Sequence, residues 1–193
     1  MPFEVWYIPF FRMGIDNTCF RGEAEGYCIN RGLAKPFKID NSGATPQQGE
    51  AITRVVVDKK GVLRNYDSPT TKLIIMGHCD EELPYIHSDS VKGQGNQKIN
   101  AIDLVKLLYD EEGIRNIRNI QIFACHAASG GKWSFIADFG KRMAAKLESL
   151  QKVSGYTEKL DRPGLQYGSK IAKGNRPAKE LKVSYDRNQL LQL

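Results

Sequence analysis

A histidine and a cysteine each follow a short apolar run, and these two residues are the best suited to covalent chemistry. His78 follows Leu73–Gly77, and Cys125 follows Ile120–Ala124 about 50 residues later. A cysteine attacks as the thiolate, and a nearby imidazole can take its proton and later protonate a leaving amine. The pattern predicts Cys125 as nucleophile and His78 as general base and acid.

Such a reaction also needs hydrogen-bond donors for the oxyanion and a pocket for the substrate. The expected donors are the backbone N–H groups of Cys79 and Cys125. Asp80, Glu81 and Glu82 follow the histidine. They are predicted to line a pocket for a basic substrate side chain, although an acidic run is more often a solvated loop.

The same residues allow other interpretations. A single apolar-flanked cysteine such as Cys125 is more often a buried core residue. His126 is an alternative base, less favoured because a neighbour of the nucleophile usually points elsewhere. A metal set of His78, Cys79, His87, Cys125 and His126 fits no standard zinc spacing, so no metal is expected.

The elements that would position this pair alternate between strands and helices. This alternation predicts an α/β domain with a mostly parallel sheet and a site at the carboxyl ends of its strands. Gly14–Gly49 is predicted to be a long loop or to contain a short helix, and the chain after Asp161 a late strand with a loose tail. The predicted strands are Val5–Phe11, Ile52–Asp58, Val62–Tyr66 (the return of a hairpin turning at Lys59–Gly61), Lys72–Met76, Ile120–Ala124 and Val153–Thr157; the predicted helices are Ala101–Glu112, capped by Asn100, and Trp133–Leu150.

The composition favours an ordinary globular domain. The chain has 193 residues, of which 41% are hydrophobic and 26% charged. No apolar stretch is long enough to span a membrane, and no export signal is apparent. The four cysteines are therefore expected to be reduced thiols in a cytoplasmic compartment. The net charge of +6 weakly favours acidic partners.

Two sequence blocks resemble a known group of enzymes. LIIMGHC and IQIFACHA are similar to the paired signature of clan CD cysteine peptidases, which include caspases, legumain, clostripain and the autoprocessing domains of large bacterial toxins. SGGKWSFIADFGKRMAAKL followed by VSGYT is more similar to the toxin branch. The resemblance covers Lys72 to Thr157. It implies a three-layer caspase-like sandwich, with a mostly parallel central sheet flanked by helices, that cleaves a peptide bond in its own chain or in a partner.

The sequence also departs from that group. The caspase block Gln-Ala-Cys-Arg-Gly is replaced by Phe123–Ala127, and the usual glycine after the histidine is Cys79. A preference for cleavage after aspartate is therefore not implied.

The toxin branch implies an activating polyanion such as inositol hexakisphosphate and, for a pathogen's protein, delivery into a host cytosol as a toxin or effector. Lys170, Lys173 and Arg176 are the expected polyanion ligands.

One domain over residues 1–193 is expected, with a basic C-terminal extension from about residue 161. Two other functions stay open. One is a caspase-like module that binds without catalysis, and the other is a polyanion-binding protein that uses this extension. Nucleic acid is not expected as a partner, because few aromatic residues are interleaved with the basic ones.

Overall fold

A seven-stranded sheet forms the centre of the protein. The computed structural model describes residues 3–11, 18–30, 38–39, 53–81, 83–88, 96–161, 171–172 and 176–193. The sheet has the order β11-β8-β7-β4-β1-β3-β2, and all neighbours are parallel except β11, which runs antiparallel to β8. Its strands are β1 (Phe3–Tyr7), β2 (Lys38–Ile39), β3 (Thr53–Val57), β4 (Lys72–Met76), β7 (Asn119–Phe123), β8 (Lys152–Tyr156) and β11 (Lys182–Asp186).

Two small antiparallel pairs lie outside this sheet. One joins β5 (Tyr85–His87) to β6 (Lys98–Asn100), and the other joins β9 (Leu160–Asp161) to β10 (Ile171–Ala172). The helices are α1 (Thr18–Asn30), α2 (Ala101–Lys106, which continues as a π-helical turn over Leu107–Glu111), α3 (Phe135–Lys146) and α4 (Arg187–Gln192). Single 3₁₀ turns span Leu63–Tyr66, Gly131–Trp133 and Ala178–Leu181.

Helices cover both faces of the sheet. On one face, Tyr27 of α1 packs against Trp6 of β1 with ring centroids 4.9 Å apart. On the other face, Ile136 of α3 packs so closely on Gly155 that a Cβ there would lie 2.6 Å from its Cγ2. The alternation of side chains along each strand buries both faces, which explains the continuous apolar strands. The prediction of an α/β fold with a mostly parallel central sheet is confirmed.

Local signals fix the helix starts. Asn100 caps α2, and its side-chain oxygen accepts from the Asp103 N–H at 2.8 Å, as predicted. Ser134 caps α3 in the same way, so this helix begins two residues after the exposed Trp133. It ends at Lys146, short of the predicted Leu150.

Two sequence predictions require correction. One is Val62–Tyr66, which is not a return strand: Leu63 and Tyr66, three residues apart, are both buried in a 3₁₀ turn.

The segment Gly14–Gly49, predicted to be a long loop or to contain a short helix, does contain a helix, α1. The rest of that segment, apart from Lys38–Ile39, lies outside the described residues.

The second correction concerns the end of the chain. The predicted late strand is present as Lys182–Asp186, but no loose tail follows it, because the helix α4 begins there with a capping box at Asp186. Within the described ranges, no helix is long and apolar enough to cross a membrane.

Candidate active site

Two neighbouring strands bring His78 and Cys125 to the same edge of the sheet. β4 and β7 are parallel, and their last register pair is Met76 with Phe123. The Gly77 N–H donates to the Phe123 carbonyl at 3.4 Å, so the pairing continues one step further. His78 and Cys125 each lie two residues beyond that register pair, at the carboxyl ends of their strands.

A short backbone bridge and two rings hold His78. Its N–H donates to the His87 carbonyl at 2.8 Å, and the His87 N–H donates back to the His78 carbonyl at 2.9 Å. The His78 ring lies 5.1 Å from the Phe20 ring of α1 and 5.2 Å from the His87 ring, between centroids. The imidazole therefore stands between two elements that are remote in sequence.

Cys125 begins the tight turn that leads from β7 toward α3. Its side chain is half-buried and free of any disulfide. The Leu160 N–H of β9 donates to the Cys125 sulfur at 3.2 Å. The next residue, His126, has a φ of 53°, in the left-handed region that non-glycine residues seldom adopt. Cys125 therefore lies in a turn beyond the end of β7 and not within the strand.

Cys79 is a buried thiol beside the candidate nucleophile. Its side chain is 3% exposed, and its sulfur donates weakly to the Asp80 carbonyl at 3.5 Å. Burial raises the pKa of Cys79 to about 12, and the charges of Asp80 and Cys125 add to that rise. The thiol is therefore neutral at ordinary pH, which does not suit a nucleophile.

The two predicted oxyanion donors are free of partners among the described residues. Neither the Cys79 N–H nor the Cys125 N–H donates a hydrogen bond to any described backbone or side-chain acceptor. Amides in that state are able to accept an anionic oxygen.

Two of the three acidic residues predicted to line a substrate pocket lie at the surface after His78. The Asp80 side chain is 75% exposed, and its Oδ2 lies 3.5 Å from Nε2 of His87. Glu81 is exposed next to it, whereas Glu82 lies outside the described residues. Asp80 and Glu81 thus lie at the surface shortly after His78, and the Asp80 carboxylate is also close to the His87 ring.

His126 faces the end of β8. Its Nδ1 lies 3.5 Å from Oγ of Ser129, and that hydroxyl donates to the Thr157 carbonyl at 2.5 Å. Across the described part of the chain, no three His, Cys, Asp or Glu side chains are grouped to hold a metal ion.

The predicted polyanion ligands are only partly visible. Lys170 and Lys173 lie outside the described residues. Arg176 forms an ion pair with Glu158 in the exposed loop after β8. Its charge is therefore already matched by a carboxylate.

A different group of basic residues, which the sequence did not single out, lines a cavity of about 190 Å³ on the sheet face that carries α1. Lys72 and Lys152 are the first residues of β4 and β8, and Lys182 is the first residue of β11. Burial, followed by the charges of Lys72 and Lys152, lowers the pKa of Lys182. The remaining lining residues are Asn119, Ile120, Gln121 and Ser154.

The neighbours of this lysine cavity only partly balance its charge. The Lys72 ammonium lies 3.1 Å from a Glu4 oxygen that belongs to a carboxylate also paired with Arg54. The Lys182 ammonium donates to the Gln121 amide oxygen at 3.1 Å, which is a neutral partner. The cavity is therefore electropositive and suited to an anion.

Comparison with known proteins does not identify a family for this chain. No protein-family model matches the sequence, and no curated protein is significantly similar to it.

Proposed function

We propose that this chain is a caspase-like cysteine peptidase that cleaves peptide bonds with Cys125 and His78. The observation that carries this proposal is that both residues lie two positions beyond the last register pair of two hydrogen-bonded parallel strands. Such strands are about 4.8 Å apart, so the two side chains start within reach of each other. Sites in parallel α/β sheets lie at this edge.

The residues of the site supply each part of the reaction. His78 takes the proton of the Cys125 thiol, and the thiolate attacks the carbonyl carbon to form a C–S bond. The amides of Cys79 and Cys125 donate to the oxyanion. As the C–N bond breaks, His78 gives its proton to the amine, and a water that His78 deprotonates then hydrolyses the thioester.

The surroundings suggest a substrate class and a compartment. Asp80 and Glu81 favour a substrate with a basic side chain near the cleaved bond. A reducing cytosol, native or that of a host cell, keeps the Cys125 thiol available. Cleavage in the same chain or in a partner protein is compatible with this geometry.

The test is the labelling rate of Cys125 by peptidyl chloromethyl ketones that differ in the residue before the warhead. We expect rapid labelling of wild type, no labelling at this position in Cys125→Ala, and a rate about 100-fold lower in His78→Ala. His126→Ala is the matched control and should label at the wild-type rate. Probes with arginine or lysine should react faster than those with aspartate.

The labelling rates of Cys19 and Cys28 in the same experiment are the internal reference. If Cys125 labels no faster than these two cysteines, and His78→Ala changes nothing, the peptidase proposal fails. A caspase-like module that binds without catalysis would then be the better description.

A second candidate function is the binding of a phosphorylated polyanion, and the lysine cavity favours it. Of the three lysines there, Lys72 pairs with a carboxylate that also pairs with Arg54, and burial lowers the pKa of Lys182. A bound anion would reduce the repulsion between the lysines and offset the cost of burying the Lys182 charge. Inositol hexakisphosphate, the activator of similar toxin domains, is the probe of choice.

Thermal unfolding in increasing inositol hexakisphosphate tests this binding. We expect a rise of several degrees that is lost in Lys152→Gln and Lys182→Gln and declines with salt. Lys141→Gln, on the helix that covers the other face, removes the same charge and should keep the rise. A rise that survives both cavity substitutions would place the anion elsewhere, with Lys170 and Lys173 as the next candidates.

A further inference from the structure

The segment after β4 brings a second histidine against the proposed base. His78 and His87 form an antiparallel pair in which each N–H donates to the other's carbonyl, at 2.8 and 2.9 Å. Residues directly opposite in such a pair project to the same side. Their rings accordingly lie 5.2 Å apart, with planes inclined by 32°.

His87 is itself held by both ring nitrogens. With the ring proton on Nε2, this nitrogen faces the Asp80 carboxylate at 3.5 Å as a donor, and Nδ1 accepts from the Asn96 side-chain amide at 2.9 Å. The Ser88 carbonyl oxygen also lies 2.9 Å from Nδ1, and it accepts a hydrogen bond only when Nδ1 carries the proton. With its side chain 13% exposed, this ring has little freedom to turn.

We propose that His87 is a positioning residue for His78, an inference that rests on the proposed peptidase function. The fixed ring of His87 and the ring of Phe20 limit the orientations open to the His78 imidazole. His78 thereby keeps a nitrogen directed at Cys125 before substrate arrives, which is the preorganisation that proton transfer requires. His87 touches neither nucleophile nor substrate in this scheme.

The surroundings explain why the anchor is a histidine. A phenyl ring could pack against His78 but would have no nitrogen to meet Asn96 and Asp80. An asparagine could meet one of those partners but would have no ring. Among the described residues of this hairpin, Lys98 is the other charged one. It lies over the Tyr85 ring at 4.6 Å and pairs with His87 only through the backbone register.

The experiment compares the carboxamidomethylation rate of Cys125 by neutral iodoacetamide in wild type, His78→Ala, His87→Phe and Lys98→Met. We expect His87→Phe to lower the rate about tenfold and Lys98→Met, on the same hairpin, to leave it unchanged. Asp80→Asn, at an exposed position, should lower it about threefold because one anchor of the His87 ring is weakened.

A second readout follows the His78 ring itself. The imidazole carbon-bound proton signals of His78 should broaden in His87→Phe and in Asp80→Asn because the His78 ring gains motion, whereas a purely structural role of His87 would leave their line widths unchanged. Urea unfolding of each variant checks that the fold is retained. If His87→Phe does not fold, the labelling rate and the His78 signals of Asp80→Asn test the positioning role instead.

The outcomes separate the two proposals. If His78→Ala labels as fast as wild type, the peptidase proposal fails. If His78→Ala is slow but His87→Phe or Asp80→Asn labels at the wild-type rate with His78 line widths unchanged, only the positioning role of His87 is overturned.

Discussion

The backbone N–H of Leu160 donates to the sulfur of Cys125 at 3.2 Å, so a strand outside the main sheet contacts the proposed nucleophile. Leu160 is 4% exposed and belongs to β9, which pairs with β10. A donated N–H stabilises negative charge on sulfur and fixes the side-chain rotamer. The small β9–β10 pair thus contributes to the site, although Leu160 follows Cys125 by 35 residues.

This contact predicts slow amide exchange at Leu160. Cys125→Ala removes the acceptor and should accelerate hydrogen exchange at the Leu160 amide at least about tenfold. Cys125→Ser keeps an acceptor atom and should retain part of the protection. Equal exchange in wild type and Cys125→Ala, measured by NMR under native conditions, would show that the sulfur does not hold this amide.

The stability of the protein should depend strongly on the buried carboxylate of Glu112. Its side chain accepts from the Tyr7 hydroxyl at 3.1 Å, the Gly61 N–H at 2.7 Å and the Leu63 N–H at 3.2 Å. Glu112→Gln turns an amide N–H₂ toward these donors, so we expect a loss of about 2–4 kcal/mol in the free energy of unfolding.

The neighbouring Glu111 provides the control for that measurement. Its side chain is 34% exposed and pairs with Lys60 at the surface. In urea unfolding, Glu111→Gln should cost less than about 1 kcal/mol. Similar losses in the two variants would mean that the Glu112 hydrogen bonds add little stability.

Much of the central sheet could be predicted from sequence, because its strands are buried on both faces. β4 and β7 read as continuous apolar runs, and the structure makes them neighbours through the register of Met76 with Phe123. That one relationship places His78 and Cys125 at a common edge. The Asn100 cap could also be predicted, because a helix cap depends on residues that are close together in the sequence.

The parts that sequence did not predict depend on contacts between distant segments. β5 has three residues, too few for a periodic pattern, so nothing in the sequence set His87 opposite His78. Lys72, Lys152 and Lys182 come together only through the strand order β11-β8-β7-β4. The available hint was that each of these three strands begins with a lysine.

The raised pKa of Cys79 predicts a loss of stability in alkali. Its value rises from the usual 9.0 to about 12 in the folded protein. Between these values the unfolded chain releases the thiol proton and the folded chain keeps it, so stability falls as pH rises. From pH 8 to pH 10 this group should cost about 1 kcal/mol.

Urea unfolding under reducing conditions at these two pH values measures the effect. Cys79→Ala should lose about 1 kcal/mol less than wild type over the interval, whatever its stability at pH 8. The window ends at pH 10 because burial also raises the pKa values of Tyr7 and Tyr156, which adds to the loss at higher pH. The same decline in both proteins would assign it to other groups.

The close packing of β8 against α3 leaves no room for a side chain at Gly155. An alanine Cβ there would lie 2.6 Å from Cγ2 of Ile136 and 3.6 Å from Cβ of Ala127, in the turn after Cys125. Because Cγ2 is fixed close to the helix backbone, the helix must shift. We expect Gly155→Ala to destabilise the protein by about 1–3 kcal/mol.

Two comparisons separate this clash from a general effect of glycine replacement. Gly22→Ala in α1 meets no atom within 4 Å and should stabilise the protein by about 0.5–1 kcal/mol, because alanine favours a helix. Ile136→Ala removes the clashing methyl group, so Gly155→Ala should cost less in that background than in wild type. Additive losses in this double-mutant cycle would show that the cost of Gly155→Ala does not come from its contact with Ile136.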